Sequence, residues 1–180
     1  MRTATVVLVA YVACVVVAAV WRLLPLSMVR DAVPDLGALT AAYLGLTARG
    51  NVAPAVGGSV VLGYLIDLIS GTPPGLAALV LGLTCLITRA AQQRILVRGT
   101  AMTMGFSAFV ALLVGVISLL VRALYGVPRP GAVVELQHIA LVTVATAIAG
   151  GLVWKSFRRI DAAFARTHRE RDAALEGLAP

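Results

Sequence analysis

VAPAVGGSVVLGYLIDLISGTPPG, Val52 to Gly75, is the stretch whose reading decides the fold. Nineteen mostly apolar residues, Val52 to Ser70, run into a Gly-Thr-Pro-Pro-Gly loop, and the run carries a carboxylate at Asp67. Residues four apart lie on one face of a helix, so Ser59, Gly63, Asp67 and Gly71 form one stripe of small side chains with a single charge in it. Small residues at that spacing let helix backbones approach closely in lipid, and a carboxylate among them turns toward protein and away from acyl chains. The stripe is expected to meet another helix.

An ionised Asp at the bilayer centre costs roughly 2.5 to 3.5 kcal/mol on insertion scales. Asp67 precedes Ser70 by three residues, about 5 Å of rise, so its cost is lower and a nearby partner can cancel it. Two partners are open. The amides of the turn, or of the next helix start, can donate to the carboxylate. Alternatively, an Arg or a backbone amide of a neighbouring helix or partner subunit can do so. Gly71 is expected to end the helix with a positive φ, and Pro73 and Pro74 stiffen the reversal to Gly75.

Composition places this stretch among others like it. Hydrophobic residues make up 60% of the chain and charged ones 13%, a balance foreign to a water-soluble domain. The mean hydropathy is +0.96. With about 20 residues per spanning helix, 180 residues accommodate six spans, short loops and one tail. The reading is an all-α polytopic bundle of six transmembrane helices over 1–154, with a basic cytoplasmic tail helix over 155–180. The net charge of +7 then concerns topology and lipid contact, not nucleic acid. Cys14 and Cys85 lie in apolar runs without a CxxC motif and read as packed small hydrophobes; no metal site or cofactor is expected.

The first span is Ala4 to Val20, closed by Trp21 and Arg22 at an interface. It is read as a retained helix because it ends in Trp-Arg-Leu-Leu-Pro and not in a small-residue cleavage site. Leu36 to Ala48 is apolar for thirteen residues, about 20 Å, and must be extended by its flanks or shielded by its neighbours. Asp35 is expected to cap it, with Pro34 blocking continuation from upstream. Pro54 opens the third helix, in whose first turn proline is tolerated. Leu76 to Thr88 is again short, and Ala90 to Arg98 is expected to continue along the membrane surface. Gly99 to Val121 and Val133 to Trp154 complete the six, and Glu135 and His138, three apart, read as a structural pair near the loop.

The tail carries Lys155, Arg158 and Arg159 at its start, with Phe157, Ile160 and Phe164 at helical spacing. Its plain reading is a surface helix resting on anionic lipid; docking to a cytoplasmic partner is the other. With a cytoplasmic amino terminus and six spans, eleven cations fall inside (Arg2, Arg49, Arg89, Arg94, Arg98 and six in the tail) and four outside (Arg22, Arg30, Arg122, Arg129). That obeys the positive-inside tendency and puts both termini in the cytoplasm, with the Asp67 turn facing outward. The outward groups are Asp31, Asp35, Asp67, Glu135 and His138. They form no nucleophile and base pair or ligand cluster, so no catalytic residue is assigned and the chain reads as a non-enzyme. A site made of Asp67 and His138 is the enzymatic alternative, and one intramembrane carboxylate makes no channel filter.

Val33-Pro34-Asp35-Leu36 opening a helix that contains Tyr43, then Gly58, Gly63, Asp67-Leu-Ile-Ser-Gly71, Gly75 and Leu79, resembles the rod shape-determining protein MreD family. Size, apolar character and basic tail are similar too. The resemblance implies a non-enzymatic component of the bacterial elongation machinery in the inner membrane, acting with MreC, MreB, RodA and its class B penicillin-binding partner in lateral wall synthesis. It implies a six-helix bundle like the substrate-binding subunits of energy-coupling-factor vitamin transporters. That likeness supplies the alternative function, for which Trp21, Tyr64 and Tyr125 are the candidate ligand contacts. On the MreD-like reading, the Ser59, Gly63, Asp67, Gly71 face, with Pro34 and Asp35 at the adjacent helix start, packs the bundle and shapes an outward surface for the membrane helix of MreC.

Overall fold

The computed structural model describes residues 2–22, 32–48, 50–92, 99–126 and 131–176. These form six helices: α1 Arg2–Arg22, α2 Leu36–Thr47, α3 Ala53–Ser70, α4 Leu76–Ala91, α5 Thr100–Leu124 and α6 Ala132–Glu176. The expected surface segment up to Arg98 falls largely outside the described residues, as do Arg30, Asp31, Arg49 and Arg129.

Four helices, α1, α3, α5 and α6, are long and apolar enough to cross a membrane. The chain is a membrane protein on that ground; among the described residues four helices have full spanning length and two further apolar helices are shorter. The other two, α2 of 12 residues and α4 of 16, rise only about 18 and 24 Å. Burial explains how α2 is accommodated. Every residue from Leu36 to Gly45 is buried, and α2 packs against each of the other five helices. Gly37, Ala38, Ala41, Ala42 and Gly45 keep it thin enough for this. Of the two resolutions open to the short helix, shielding by neighbours is the one observed.

The rest of the bundle is arranged around α2. Leu39 and Tyr43 of α2, Val6 of α1, Leu62 of α3, Cys85 of α4 and Val110 of α5 make the fully buried centre. Outward faces are apolar instead: Leu8, Val12 and Val16 on α1, Leu112, Val116 and Leu120 on α5, and Leu141, Val144, Ile148 and Leu152 on α6 are exposed at helical spacing. Exposed aliphatic stripes of this extent are what lipid, not water, solvates. Inside, four buried hydroxyls donate to carbonyls of their own helices. Thr40 donates to the Leu36 carbonyl at 2.7 Å, Ser59 to Ala55 at 2.9 Å, Thr84 to Val80 at 2.8 Å and Ser107 to Thr103 at 2.8 Å.

Helix α6 passes through Trp154 and Lys155 without a break, so the last span and the tail are one helix of 45 residues. No proline or glycine interrupts the chain between Gly151 and Glu176, and the hydrogen-bond ladder has no reason to stop where the hydropathy changes. The start of the tail is also held by protein and not by lipid alone. Phe157 is buried and packs on Tyr43 with ring centres 5.0 Å apart, and Ile160 packs against the core. Tyr43 Oη donates to Asp161 Oδ2 at 2.5 Å, joining the middle of α2 to the extension.

Candidate functional site

The carboxylate at Asp67 is 1% exposed and surrounded by donors. Thr72 Oγ1 donates to Oδ1 at 2.6 Å, and the Gly75 amide donates to Oδ2 at 3.0 Å. The Ala77 amide bridges both oxygens at 3.0 Å, and the Ala78 amide reaches Oδ2 at 3.4 Å. These are the turn and the first turn of α4, whose N-terminal amides would otherwise lack partners in an apolar surrounding. The positive end of the α4 dipole adds to the attraction. Of the two readings of Asp67, the local one is observed: it caps α4 from the end of α3, closing the hairpin.

The glycines of the turn do what the sequence requires of them. Gly71 has φ +66° and donates its N–H to the Asp67 carbonyl at 3.0 Å, ending α3. Gly75 has φ +97° and starts α4. Gly63 is a close-approach site: a Cβ there would stand 2.5 Å from both the Ala77 carbonyl oxygen and the Ala78 Cα. Ser59 is fully buried on the same face. The stripe therefore packs helices as expected, but its partner is the protein's own α4, so Ser59, Gly63 and Asp67 present no face to another subunit.

At the start of α2, Asp35 Oδ1 accepts from the Ala38 amide at 2.8 Å, the expected cap. The Asp35 amide donates to Thr146 Oγ1 of α6 at 2.9 Å, so the Pro34-Asp35 break is fixed by a helix 111 residues away. Two cavities flank Asp35. One, of about 320 Å³, is bounded by Cys14, Pro34, Ile66 and His138. The other, of about 140 Å³, is bounded by Ser118, Arg122, Glu135 and His138. His138 thus stands near Asp35 and not with Asp67, and the Asp67/His138 pairing is not formed. Glu135 and His138 share the smaller cavity with Arg122, and no hydrogen bond joins the two.

At the opposite end, Lys155, Arg158 and Arg159 lie with Gly151 and Trp154 of α6 and Gly99 and Thr103 of α5 around a cavity of about 590 Å³. Along the side, Trp21 and Pro34 face Ala140, Leu141, Val144, Ala145 and Ile148 of α6 across an apolar groove of about 830 Å³.

Sequence reading missed the contacts between distant segments. A Cβ on Gly45 would lie 2.5 Å from the Cys85 carbonyl, and one on Gly150 2.5 Å from Ser107 Cβ. For α2 a signal exists, since Gly37, Ala41 and Gly45 repeat every four residues. The Tyr43 to Asp161 bond joins residues 118 apart and leaves no local pattern.

Among the described residues these features define an all-helical membrane bundle whose buried carboxylate, Asp67, serves as an internal cap. Compared with known protein families, curated proteins and solved structures, the chain matches none.

Proposed function

We propose that this chain is an MreD-like, non-enzymatic component of the bacterial elongation complex, resident in the inner membrane with both termini cytoplasmic. The observation that carries the reading is the state of Asp67. Both its oxygens are committed to four donors of its own hairpin, so its chemistry is architectural. Of the residues from Pro34 to Leu79 that suggested the family, those from Asp67 through Gly75 build this hairpin. The reading takes the six helices as a bundle like those of energy-coupling-factor substrate-binding subunits, used here as a scaffold.

Because the small-residue stripe is consumed by α4, the reading assigns the membrane helix of MreC to the apolar groove between α1 and α6. Alanines at 140, 145 and 149 leave room there for another backbone. MreB, RodA and the class B penicillin-binding protein join through the assembled complex. Lys155, Arg158 and Arg159 meet anionic lipid at the cytoplasmic face.

Depletion of the protein in its native cell, with recovery of the tagged chain from detergent, tests the proposal. Rounded cells and recovered MreC are expected, and Ala145→Phe should lose MreC while keeping the protein folded. Normal shape with transporter ATPase subunits recovered would refute the scaffold reading in favour of the vitamin-transport one.

A further inference from the structure

The cationic cavity at the junction of α5 and α6 has an apolar annex. Gly151, Lys155, Arg158 and Ala162 follow one another at steps of three or four, and Arg159 lies four beyond Lys155, so α6 turns three cations toward one cavity. Opposite them is the N-terminus of α5 at Gly99, which no side chain caps, so the dipole of a 25-residue helix adds positive potential to the same space. Trp154 forms the inner wall; it is 4% exposed and its indole N–H has no acceptor. Phe106 touches Trp154 edge-on, with ring centres 5.9 Å apart. On the far side of that contact, Phe106 lines an apolar groove of about 470 Å³ with Ala101, Met102, Gly105 and Phe109. The cavity and the groove thus lie on either side of the Trp154/Phe106 contact, the cavity against Trp154 and the groove against Phe106.

We propose that this pair of spaces is a binding site for one anionic phospholipid, its phosphate among Lys155, Arg158 and Arg159 and an acyl chain along Gly105, Phe106 and Phe109. Positive charge alone would suit any phosphate. The adjoining groove at the level where α5 turns apolar selects a phosphate that carries a hydrocarbon chain. Gly105 and Gly151 leave the space open, for a Cβ at either meets nothing within 4 Å. The inference rests on the reading that these cations face lipid, and not on partnership with MreC.

The test is native mass spectrometry of the full chain in detergent, titrated with dioleoylphosphatidylglycerol, dioleoylphosphatidylcholine or inorganic phosphate. Phosphatidylglycerol should be retained preferentially. Replacing Lys155, Arg158 and Arg159 together by Gln should lower its retention roughly tenfold or more, the scale of losing one or two charge-assisted bonds. Gly105→Leu fills the groove from an independent wall without touching the charges. It should weaken phosphatidylglycerol similarly, while Arg166→Gln, outside the cavity, should change little. Retention unaffected by Gly105→Leu, or reduced equally by Arg166→Gln, means diffuse adsorption: the site is overturned and the lipid-facing reading stands. Equal retention of phosphatidylcholine overturns both. Inorganic phosphate displacing the lipid completely at matched concentration overturns the acyl-chain assignment.

Discussion

Replacing Asp67 by Ala should destabilise the bundle severely, and replacing it by Asn only modestly. In Asp67→Ala the Gly75 and Ala77 amides and the Thr72 hydroxyl, all partly buried, lose their acceptor. At about 1 to 3 kcal/mol for each of the two stranded amides, and with the hydroxyl able to find some other partner, the loss is about 2 to 6 kcal/mol. Asp67→Asn keeps most of the pattern. With the amide nitrogen in the place of Oδ1, the remaining oxygen still accepts from Gly75, Ala77 and Ala78, and Thr72 can rotate to accept. What is lost is the charge assistance and its interaction with the α4 dipole, about 1 to 2 kcal/mol. Cys85, fully buried on α4, supplies the assay. Thermal unfolding in detergent, read by a thiol-reactive fluorophore, should rank wild type above Asn and Asn well above Ala. Equal melting of Asn and Ala would mean that the charge itself is required, and an unchanged Ala variant would refute the capping role.

Gly63→Ala should lower the same melting temperature because its Cβ meets α4 backbone at 2.5 Å, whereas Gly57→Ala, whose Cβ meets nothing within 4 Å, should raise it by up to about 1 kcal/mol of stability; reversal of this order would refute the α3/α4 packing. Tyr43→Phe keeps the ring contacts with Trp154 and Phe157 but removes the donor to Asp161, at a cost of about 1 to 2 kcal/mol. Hydrogen exchange over 157–166 should quicken, and unchanged protection would count against the tether. Thr146→Val strands the Asp35 amide and should cost about 1 to 3 kcal/mol by the thiol-reactivity melt, with the thiol of Cys14, beside Asp35, labelled earlier than in wild type. A melt identical to wild type would show that the amide finds another acceptor.

Chain-local physics made much of this protein legible before any fold was known. Hydropathy marked the apolar runs because lipid imposes its length and polarity on each segment separately. Turn chemistry at Gly71 to Gly75, the Asp35 cap and Pro54 at the start of α3 were readable because each depends on neighbours within a few residues. The helical character of the Ser59, Gly63, Asp67 stripe was readable for the same reason.

What the stripe faces was not, because a small-residue face is equally suited to the protein's own helix and to a partner's. Only the packed bundle assigns it to α4. Likewise, the twelve residues of α2 gave every sign of an incomplete span, and enclosure by five other helices is what makes them the centre. The tail read as a separate surface helix because its charge changes abruptly at Lys155, yet backbone hydrogen bonding is indifferent to that change and Tyr43 binds it from inside the bundle. The cationic cavity required the N-terminus of α5 to meet the middle of α6. Non-local packing chose among faces that the sequence made equally available, since the energy of a close contact depends on which surface arrives and not on the residues adjacent in the chain.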